Sequence, residues 1–295
     1  MARLSVLLGC CLVATIAAAQ PIDVIIVAGQ SNAVGFDAPA ADLVASPADA
    51  KIRFWWRCGD PPPDAHDSTS DGWTTLGPQP LGDPIRPRTQ GDRQYGNFAQ
   101  ASGGFGPEIG LARTMATTTH TPLAIIKVAF SGTHVAGDWN PRLDVNDSAP
   151  IEHDSRGACY RSLVTEARRA VGQLSDQFQP RLVALVWVQG ESDATSERAD
   201  AYQQNIAAMI SSLRQDLDAP ELIALLGVNT QFSAGHNEHL QDVIAAQKAY
   251  AASDPQAMYV DTAGATIANH VHFDGPGTIQ VGERFAKALA EIRAP

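Results

Sequence analysis

The chain has 295 residues, of which 44% are hydrophobic and 18% are charged, and its formal net charge at pH 7 is −11. This length and composition predict one large core, and no internal repeat or low-complexity linker divides it. An acidic surface repels phosphate backbones, which argues against nucleic acid as a partner. After the amino-terminal segment, no apolar stretch is long enough to span a bilayer.

The first nineteen residues have the pattern of a secretory signal peptide. Arg3 gives a positive start, residues 4–16 are apolar but too few to span a membrane, and the three alanines at 17–19 suit a cleavage site. A lipoprotein signal ending at Cys10 is the alternative, against which the bulky Leu8 argues. The sequence therefore predicts a signal peptide over 1–19 and one folded domain over 20–295. It predicts a secreted or periplasmic protein without stable membrane insertion once the signal is removed.

Two cysteines, Cys58 and Cys159, remain after the leader is removed. An even pair in an oxidising compartment is compatible with one disulfide, and two unpaired thiols are the alternative.

Short apolar runs alternate with longer helical patterns along the chain. The runs predict strands over 23–28, 51–56, 123–130, 181–188, 222–228 and 258–261, and the helical patterns predict helices over 107–118, 160–174, 199–217, 238–252 and 276–292. Continuously apolar strands are buried on both faces, so we expect an α/β fold with a parallel sheet between layers of helices. The site of such a fold lies at the carboxyl ends of its strands. Residues 58–104 lack a clear period and are rich in Pro, Gly, Asp and Gln, so we expect them to form a wall of that site.

Residues suited to acyl transfer follow several of these strands. Ser31 follows the first strand, in a segment that could also be an ordinary turn, and Gly132 follows the third. Gln189 follows the fourth strand, and His272 precedes the last helix. Acyl transfer needs a nucleophile, a base and donors aimed at the developing oxyanion, and these residue types can supply all three.

Five motifs in order carry a resemblance to a known family. They are GQSNAVG at 29–35, GFGPE at 104–108, FSGT at 130–133 followed by Trp139-Asn140, WVQGESD at 187–193, and HFD at 272–274 followed by GER at 282–284. The chain resembles the SGNH hydrolase superfamily, and within it the sialate O-acetylesterase and carbohydrate esterase family 6 domains.

The resemblance implies a three-layer α/β/α sandwich, flavodoxin-like, with five or six parallel strands. It implies a serine esterase that removes acetyl groups from carbohydrate through an acyl-enzyme. By position, Ser31 is the nucleophile and His272 its base. The amides of Ser31 and Gly132 and the side chain of Gln189 form the oxyanion hole.

One position departs from the family pattern: Asn269 stands where an aspartate usually orients the histidine. In serine proteases the same change from Asp to Asn costs about 10⁴-fold in turnover. Three explanations follow. A backbone carbonyl orients the imidazole of His272; or a carboxylate from elsewhere substitutes; or the protein only binds glycan. The candidate carboxylates are Glu191, Asp193, Asp261 and Asp274.

Tryptophans favour a sugar substrate, because flat rings stack on sugar faces. We expect Trp139 to bind substrate, with Trp55, Trp56 and Trp73 near the site. The alternative for Trp55 and Trp56, favoured for each individually, is a core position at the end of a strand. Acetylated carbohydrate is the first substrate hypothesis and another short-chain ester is the second. No cofactor is predicted, since Ile109 stands where a dinucleotide loop needs its third glycine. No metal is predicted either, since the histidines, apart from the 236 and 239 pair, lack ligand spacing; they are His120, His134, His153, His236 and His239.

Overall fold

A computed structural model of the protein describes residues 19–65, 67–79, 89–90, 93–94, 98–100, 102–141 and 157–294. Residues 1–18 of the predicted signal peptide lie outside this range, as does His153, so those assignments stay predictions. Within the described residues, no helix is long and apolar enough to cross a membrane.

A mixed sheet of eight strands forms the centre of the protein. Its strands are β1 (Gln20–Gly29), β2 (Arg53–Gly59), β3 (Ser68–Thr69), β4 (Thr74–Thr75), β7 (Leu123–Phe130), β8 (Phe178–Val188), β9 (Ile223–Gly227) and β10 (Ala257–Tyr259), while β5 (Thr89–Gln90) and β6 (Arg93–Gln94) form a separate hairpin. The order across the sheet is β10-β9-β8-β1-β7-β2-β3, with β4 also paired to β2. The six strands from β10 to β2 are parallel, whereas β3 and β4 pair with β2 in the antiparallel sense.

Helices cover both faces of this sheet. They are α1 (Ser31–Val34), α2 (Glu108–Thr118), α3 (Ala158–Leu174), α4 (Tyr202–Asp216), α5 (Leu240–Ser253) and α6 (Gly275–Ile292). One buried apolar cluster joins the sheet to α3, α4 and α5, and a second joins its other face to α1, α2 and α6. The predicted three-layer α/β/α sandwich is therefore confirmed.

The predicted strands and helices all occur, and no bound differs by more than three residues. Burial explains this agreement: every residue of β7, for example, is buried, as its continuous apolar run predicted. Of the expected five or six parallel strands the sheet has six, and it adds two short antiparallel strands that were not expected. Both antiparallel strands lie within 58–104, where the sequence shows no strand period.

The central strand β1 determines where the site forms. Its last residue, Gly29, is level with Ala129 of β7 and Val188 of β8 in the parallel register. Three loops therefore leave the same edge of the sheet side by side, at its carboxyl ends, where α/β folds bind ligands.

The possible disulfide is not formed in this structure, and the alternative of two unpaired thiols holds: Cys58 and Cys159 are both free and buried. Cys58 lies on β2 in the cluster with α1, α2 and α6, whereas Cys159 lies on α3 in the cluster on the opposite face. The sheet separates the two thiols. Burial raises the pKa of Cys58 to about 12 and also raises the pKa of Cys159 well above its ordinary value.

A buried charged group supports α1 from within the fold. Lys127 on β7 is fully buried and donates to the carbonyl of Val34 at 2.7 Å, at the end of α1. Its ammonium also lies 3.1 Å from Glu108 and donates to Gln79. Because an unpaired buried charge is costly, these acceptors hold Lys127 in place and, through it, the helix that begins with Ser31.

Candidate active site

Ser31 lies at the turn from β1 into α1. Gly29 just before it has φ +141, and a Cβ there would clash with the carbonyl of Val188, so the turn requires glycine. The amide of Gln30 then donates to that same carbonyl at 3.1 Å. This tight connection brings Ser31 to the carboxyl edge of the sheet, where it is 5% exposed and lines a cleft of about 260 Å³.

His272 lies in the loop between β10 and α6 and lines the same cleft. Its ring packs against Phe36, with 4.8 Å between ring centroids. Burial lowers the pKa of His272 below its ordinary value; the hydrogen bond and charge of Asp37 oppose this effect, and nearby His270 adds to it. The structure thus brings together the nucleophile and base candidates, from segments 241 residues apart (272 − 31).

An aspartate that the sequence analysis did not consider pairs with His272. Oδ2 of Asp37 lies 2.7 Å from Nδ1 of His272. Asn269 donates from Nδ2 to the same carboxylate oxygen at 2.8 Å, and its Oδ1 accepts from the amides of Val271 and His272. Asn269 therefore contacts the aspartate instead of replacing it, and the acid comes from the loop after α1.

The earlier candidates for the acid are wrong, because each carboxylate is engaged elsewhere. Glu191 accepts from Asn32 and from the amide of Asn229, and Asp193 accepts from the amide of Val135 and from Gln189. Asp274 caps α6 by accepting from Gly277, and Asp261 accepts from the amide of Ala263. A backbone carbonyl is not the partner either, since Asp37 occupies Nδ1.

Two main-chain amides are available as oxyanion donors. Those of Ser31 and Gly132 have no acceptor among the described residues, and both residues line the cleft. Gly132 has φ +70, a conformation that favours glycine and is reached here in the loop after β7.

The prediction that Gln189 completes the oxyanion hole is wrong in this structure. Gln189 is fully buried, and its Nε2 donates to the carbonyl of Thr133 at 3.1 Å and to Asp193 at 2.6 Å, which uses both hydrogens. Its Oε1 accepts from the hydroxyl of Tyr202. Gln189 therefore joins the loops after β7 and β8, so that Gly132 is held beside β8.

Gln30 presents the side-chain amide that faces the cleft. Its Oε1 accepts from the amides of Gly190 at 3.4 Å and Ser192 at 3.2 Å, which fixes the orientation of the group. Its Nε2 has no acceptor among the described residues, although the residue is only 3% exposed and lines the cleft. The sequence offered a signal for this residue, since Gln30 directly precedes Ser31.

A family comparison agrees with this arrangement. The family model described as carbohydrate esterase, sialic acid-specific acetylesterase matches residues 21–291. The chain belongs to this family. The predicted carboxylic ester hydrolase acting on carbohydrate is thereby confirmed at the level of the family.

Solved structures similar to this esterase share its fold at low identity. A protein from Arabidopsis thaliana is 17% identical with a TM-score of 0.63, over 91% of this chain and 98% of the other. A carbohydrate acetylesterase from Xanthomonas citri is 19% identical with a TM-score of 0.58, over 92% and 56%. NanS is 18% identical with a TM-score of 0.54, over 94% and 98%. No curated protein matches the chain.

The tryptophans of this esterase are structural, so the predicted substrate contact by Trp139 is wrong. Trp139 is fully buried against Trp187, with 5.0 Å between ring centroids, and does not line the cleft. Each of the other three predicted tryptophans donates from its indole nitrogen to a neighbour: Trp55 to Glu166, Trp56 to Ser68, and Trp73 to the carbonyl of Ala170. Besides the imidazole of His272, the rings that line the cleft belong to Phe36 and Phe232, which the sequence did not indicate because neither lies in a motif with a recognisable ring role.

Metal ligands do not converge in the described part of the chain. No group of three or more His, Cys, Asp and Glu side chains there could hold a metal ion. His239 contacts Asp242 at 3.3 Å, and His134 accepts from the amide of Gly137.

Proposed function

We propose that the protein removes acetyl groups from carbohydrate through a covalent intermediate on Ser31. The observation that carries this proposal is the Asp37 contact to Nδ1 of His272, beside Ser31 in one cleft. A carboxylate at Nδ1 directs the other ring nitrogen toward the nucleophile as a base and stabilises the imidazolium that forms. This contact supports the active enzyme over a glycan-binding relic, which the absence of an aspartate at position 269 had suggested.

The reaction follows from these positions. Oγ of Ser31 attacks the acetyl carbonyl carbon while Nε2 of His272 takes its proton, and the amides of Ser31 and Gly132 stabilise the oxyanion with the side chain of Gln30. His272 then gives that proton to the sugar oxygen as the ester bond breaks. Water attacks the acetyl-enzyme, again losing a proton to His272, and acetate leaves with the Ser31 hydroxyl restored.

The cleft suits a small acyl group. Its volume of about 260 Å³ is below the roughly 300–1,000 Å³ of typical ligand pockets. Phe36, Phe232 and Val271 give it an apolar side on which an acetyl methyl can lie. A general short-chain ester hydrolase is the second candidate, since the same apolar side would accept acetyl groups from non-sugar alcohols.

Turnover of 4-nitrophenyl acetate and of an acetylated glycan tests this function. Ser31→Ala should abolish hydrolysis of both while the folded structure persists. The matched control is Ser211→Ala, at an exposed serine on α4, and it should leave turnover unchanged. Hydrolysis that persists in Ser31→Ala would remove this serine from the mechanism. Hydrolysis of the nitrophenyl ester alone would favour the general esterase.

Gln30→Glu tests the side-chain donor. The carboxylate can still accept from the amides of Gly190 and Ser192, but it replaces the donating amide with an oxygen that repels the oxyanion. We expect kcat to fall about 10²–10³-fold, as for loss of one such donor elsewhere. The same change at Gln204, exposed on α4, is the control. An unchanged kcat in Gln30→Glu would exclude Gln30 from the oxyanion hole.

We also propose export, on the signal-peptide pattern of residues 1–19. Mass spectrometry of the protein produced in an exporting bacterial host should give a mature chain that begins at Gln20. A leader retained on the exported protein would contradict this cleavage site.

A further inference from the structure

Glu191 lies inside the active site without contacting the imidazole. It is 3% exposed, and its Oε1 accepts from Nδ2 of Asn32 at 2.8 Å and from the amide of Asn229 at 3.0 Å. Its Oε2 is buried and has no partner among the described residues. The proposed reaction gives this carboxylate no role, although burying it is costly.

Asn32, the residue after the nucleophile, binds both peptide groups that flank His272. Its Nδ2 donates to the carbonyl of Val271 at 3.2 Å, and its Oδ1 accepts from the amide of Phe273 at 3.0 Å. One side chain thus fixes the main chain of the base relative to Ser31, its own neighbour in the chain.

Glu191 orients the side-chain amide of Asn32. An amide group could exchange its oxygen and nitrogen by rotation, but the Glu191 oxygen accepts only from Nδ2 of Asn32 and so fixes one orientation. The same oxygen holds the main chain of Asn229, whose side chain donates to the carbonyl of Val271 at 3.0 Å. Both amides that bind Val271 therefore depend on one carboxylate oxygen.

We infer that Glu191 is a positioning residue that sets the distance between Ser31 and His272 through Asn32 and Asn229. The inference rests on the proposed function, since it assigns a role within that reaction. It requires the position of an acceptor oxygen, not the negative charge of the carboxylate. A displacement of about 1 Å between reacting groups can cost about 100-fold in rate.

Glu191→Gln and Glu191→Asp separate position from charge. Gln keeps an acceptor oxygen at the same reach and removes the charge, whereas Asp keeps the charge and withdraws the oxygen by one methylene. We expect kcat to fall about 100-fold in Glu191→Asp and less than about tenfold in Glu191→Gln, with KM little changed in both. Glu238→Asp, at an exposed glutamate, is the matched control. The reverse order, with Gln the worse substitution, would assign the role to charge and overturn the inference.

A double-mutant cycle with Asn32→Ala tests the route. If Glu191 acts through Asn32, Glu191→Asp should cost less in the Asn32→Ala background than in the wild type. Full additivity would overturn the route. The fraction folded, from circular dichroism, corrects each kcat, and a corrected kcat equal to wild type in Glu191→Asp would reduce Glu191 to a purely structural residue. Ser31→Ala keeps the two proposals distinct: turnover that does not need Ser31 defeats the proposed function, whereas Ser31-dependent turnover insensitive to Glu191 defeats only this inference.

Discussion

The carboxylates around the candidate site fall into two groups, and their surroundings differ. Asp37 lies on the loop after α1, its side chain is 21% exposed, and one oxygen contacts both Nδ1 of His272 and Asn269. Glu191 and Asp193 lie in the buried turn after β8 and, within the part of the chain that the structure describes, accept only from amide groups.

Solvation accounts for the difference. Burial raises the pKa of Glu191 and of Asp193, so the charged form is disfavoured at both positions. Solvent contact favours a charged carboxylate, and a charged partner is what an imidazolium needs during acyl transfer. The comparison teaches that Glu191 and Asp193, within the motif at 187–193, serve as acceptors that hold loops. The partly exposed Asp37 instead supports the base, His272.

Among the substitutions that test this comparison, Asp37→Asn should lower the activity most. Asn removes the charge and can orient the ring in the wrong tautomer, so we expect kcat/KM to fall about 10³–10⁴-fold, as in serine proteases. Asp193→Asn keeps an oxygen that can accept from the amide of Val135, so its loss should stay below about tenfold. Steady-state kinetics on one acetyl ester measures both.

Asp200→Asn, at an exposed position, is the control for these two variants and should match the wild type. A collapse in Asp193→Asn together with normal turnover in Asp37→Asn would reverse the assignment of the two carboxylate groups.

Moving the acid from position 37 to position 269 should change kcat/KM by an intermediate amount. Asn269→Asp alone removes the Nδ2 donor from Asp37 and places two carboxylates side by side, so kcat/KM should stay level or fall. Asp37→Asn combined with Asn269→Asp returns one charge to the position that the family uses. We expect this double variant to recover at least about tenfold over Asp37→Asn alone, because the acid is restored.

The same kinetic assay compares the three variants. A rise in activity in Asn269→Asp alone would show that Asp37 is a poor partner in solution. A double variant no better than Asp37→Asn would show that position 269 does not serve the imidazole in this chain.

The sequence allowed the fold and the edge that carries the site to be predicted, because both depend on local signals. Apolar runs marked the strands, and the glycine before Ser31 marked the tight turn that presents it. The role of Asp37 could not be predicted from local signals, since its partner His272 is 235 residues away and the contact depends on how the loop after α1 folds back.

Residue type alone also misled at two positions. Gln189 and Trp139 have the side chains that an oxyanion hole and a sugar site need, but both are fully buried and engaged in the core. Which of two glutamines faces the cleft depends on packing. Tyr202, Thr133 and Asp193 hydrogen-bond to both ends of the Gln189 amide, whereas the described residues bind the amide of Gln30 at its oxygen alone. That information is absent from a strand pattern.

The smallest expected effect is a shift in the pH dependence of kcat/KM. Substitutions of Asp37 and His270, the two neighbours of His272, should shift it in opposite directions. The base must be neutral to accept a proton, so the acid limb of kcat/KM reports the pKa of His272 in the free enzyme. Burial lowers this pKa, so the wild-type limb should lie below about pH 6.5, the ordinary value for histidine. Asp37 opposes the lowering and His270 adds to it. Asp37→Asn should therefore move the limb to lower pH, and His270→Gln should move it to higher pH.

Acetate release, measured between about pH 4 and pH 8, gives these limbs without the titration of a coloured product. Glu191→Gln is the sharper comparison, because its carboxylate contacts amides and not the ring. Its limb should therefore shift less than that of Asp37→Asn. Equal shifts in these two variants would show that the buried turn acts on His272 by charge, and the distinction between the two carboxylate groups would fail. A limb that moves upward in Asp37→Asn would mean that the Asp37 contact does not stabilise the protonated ring.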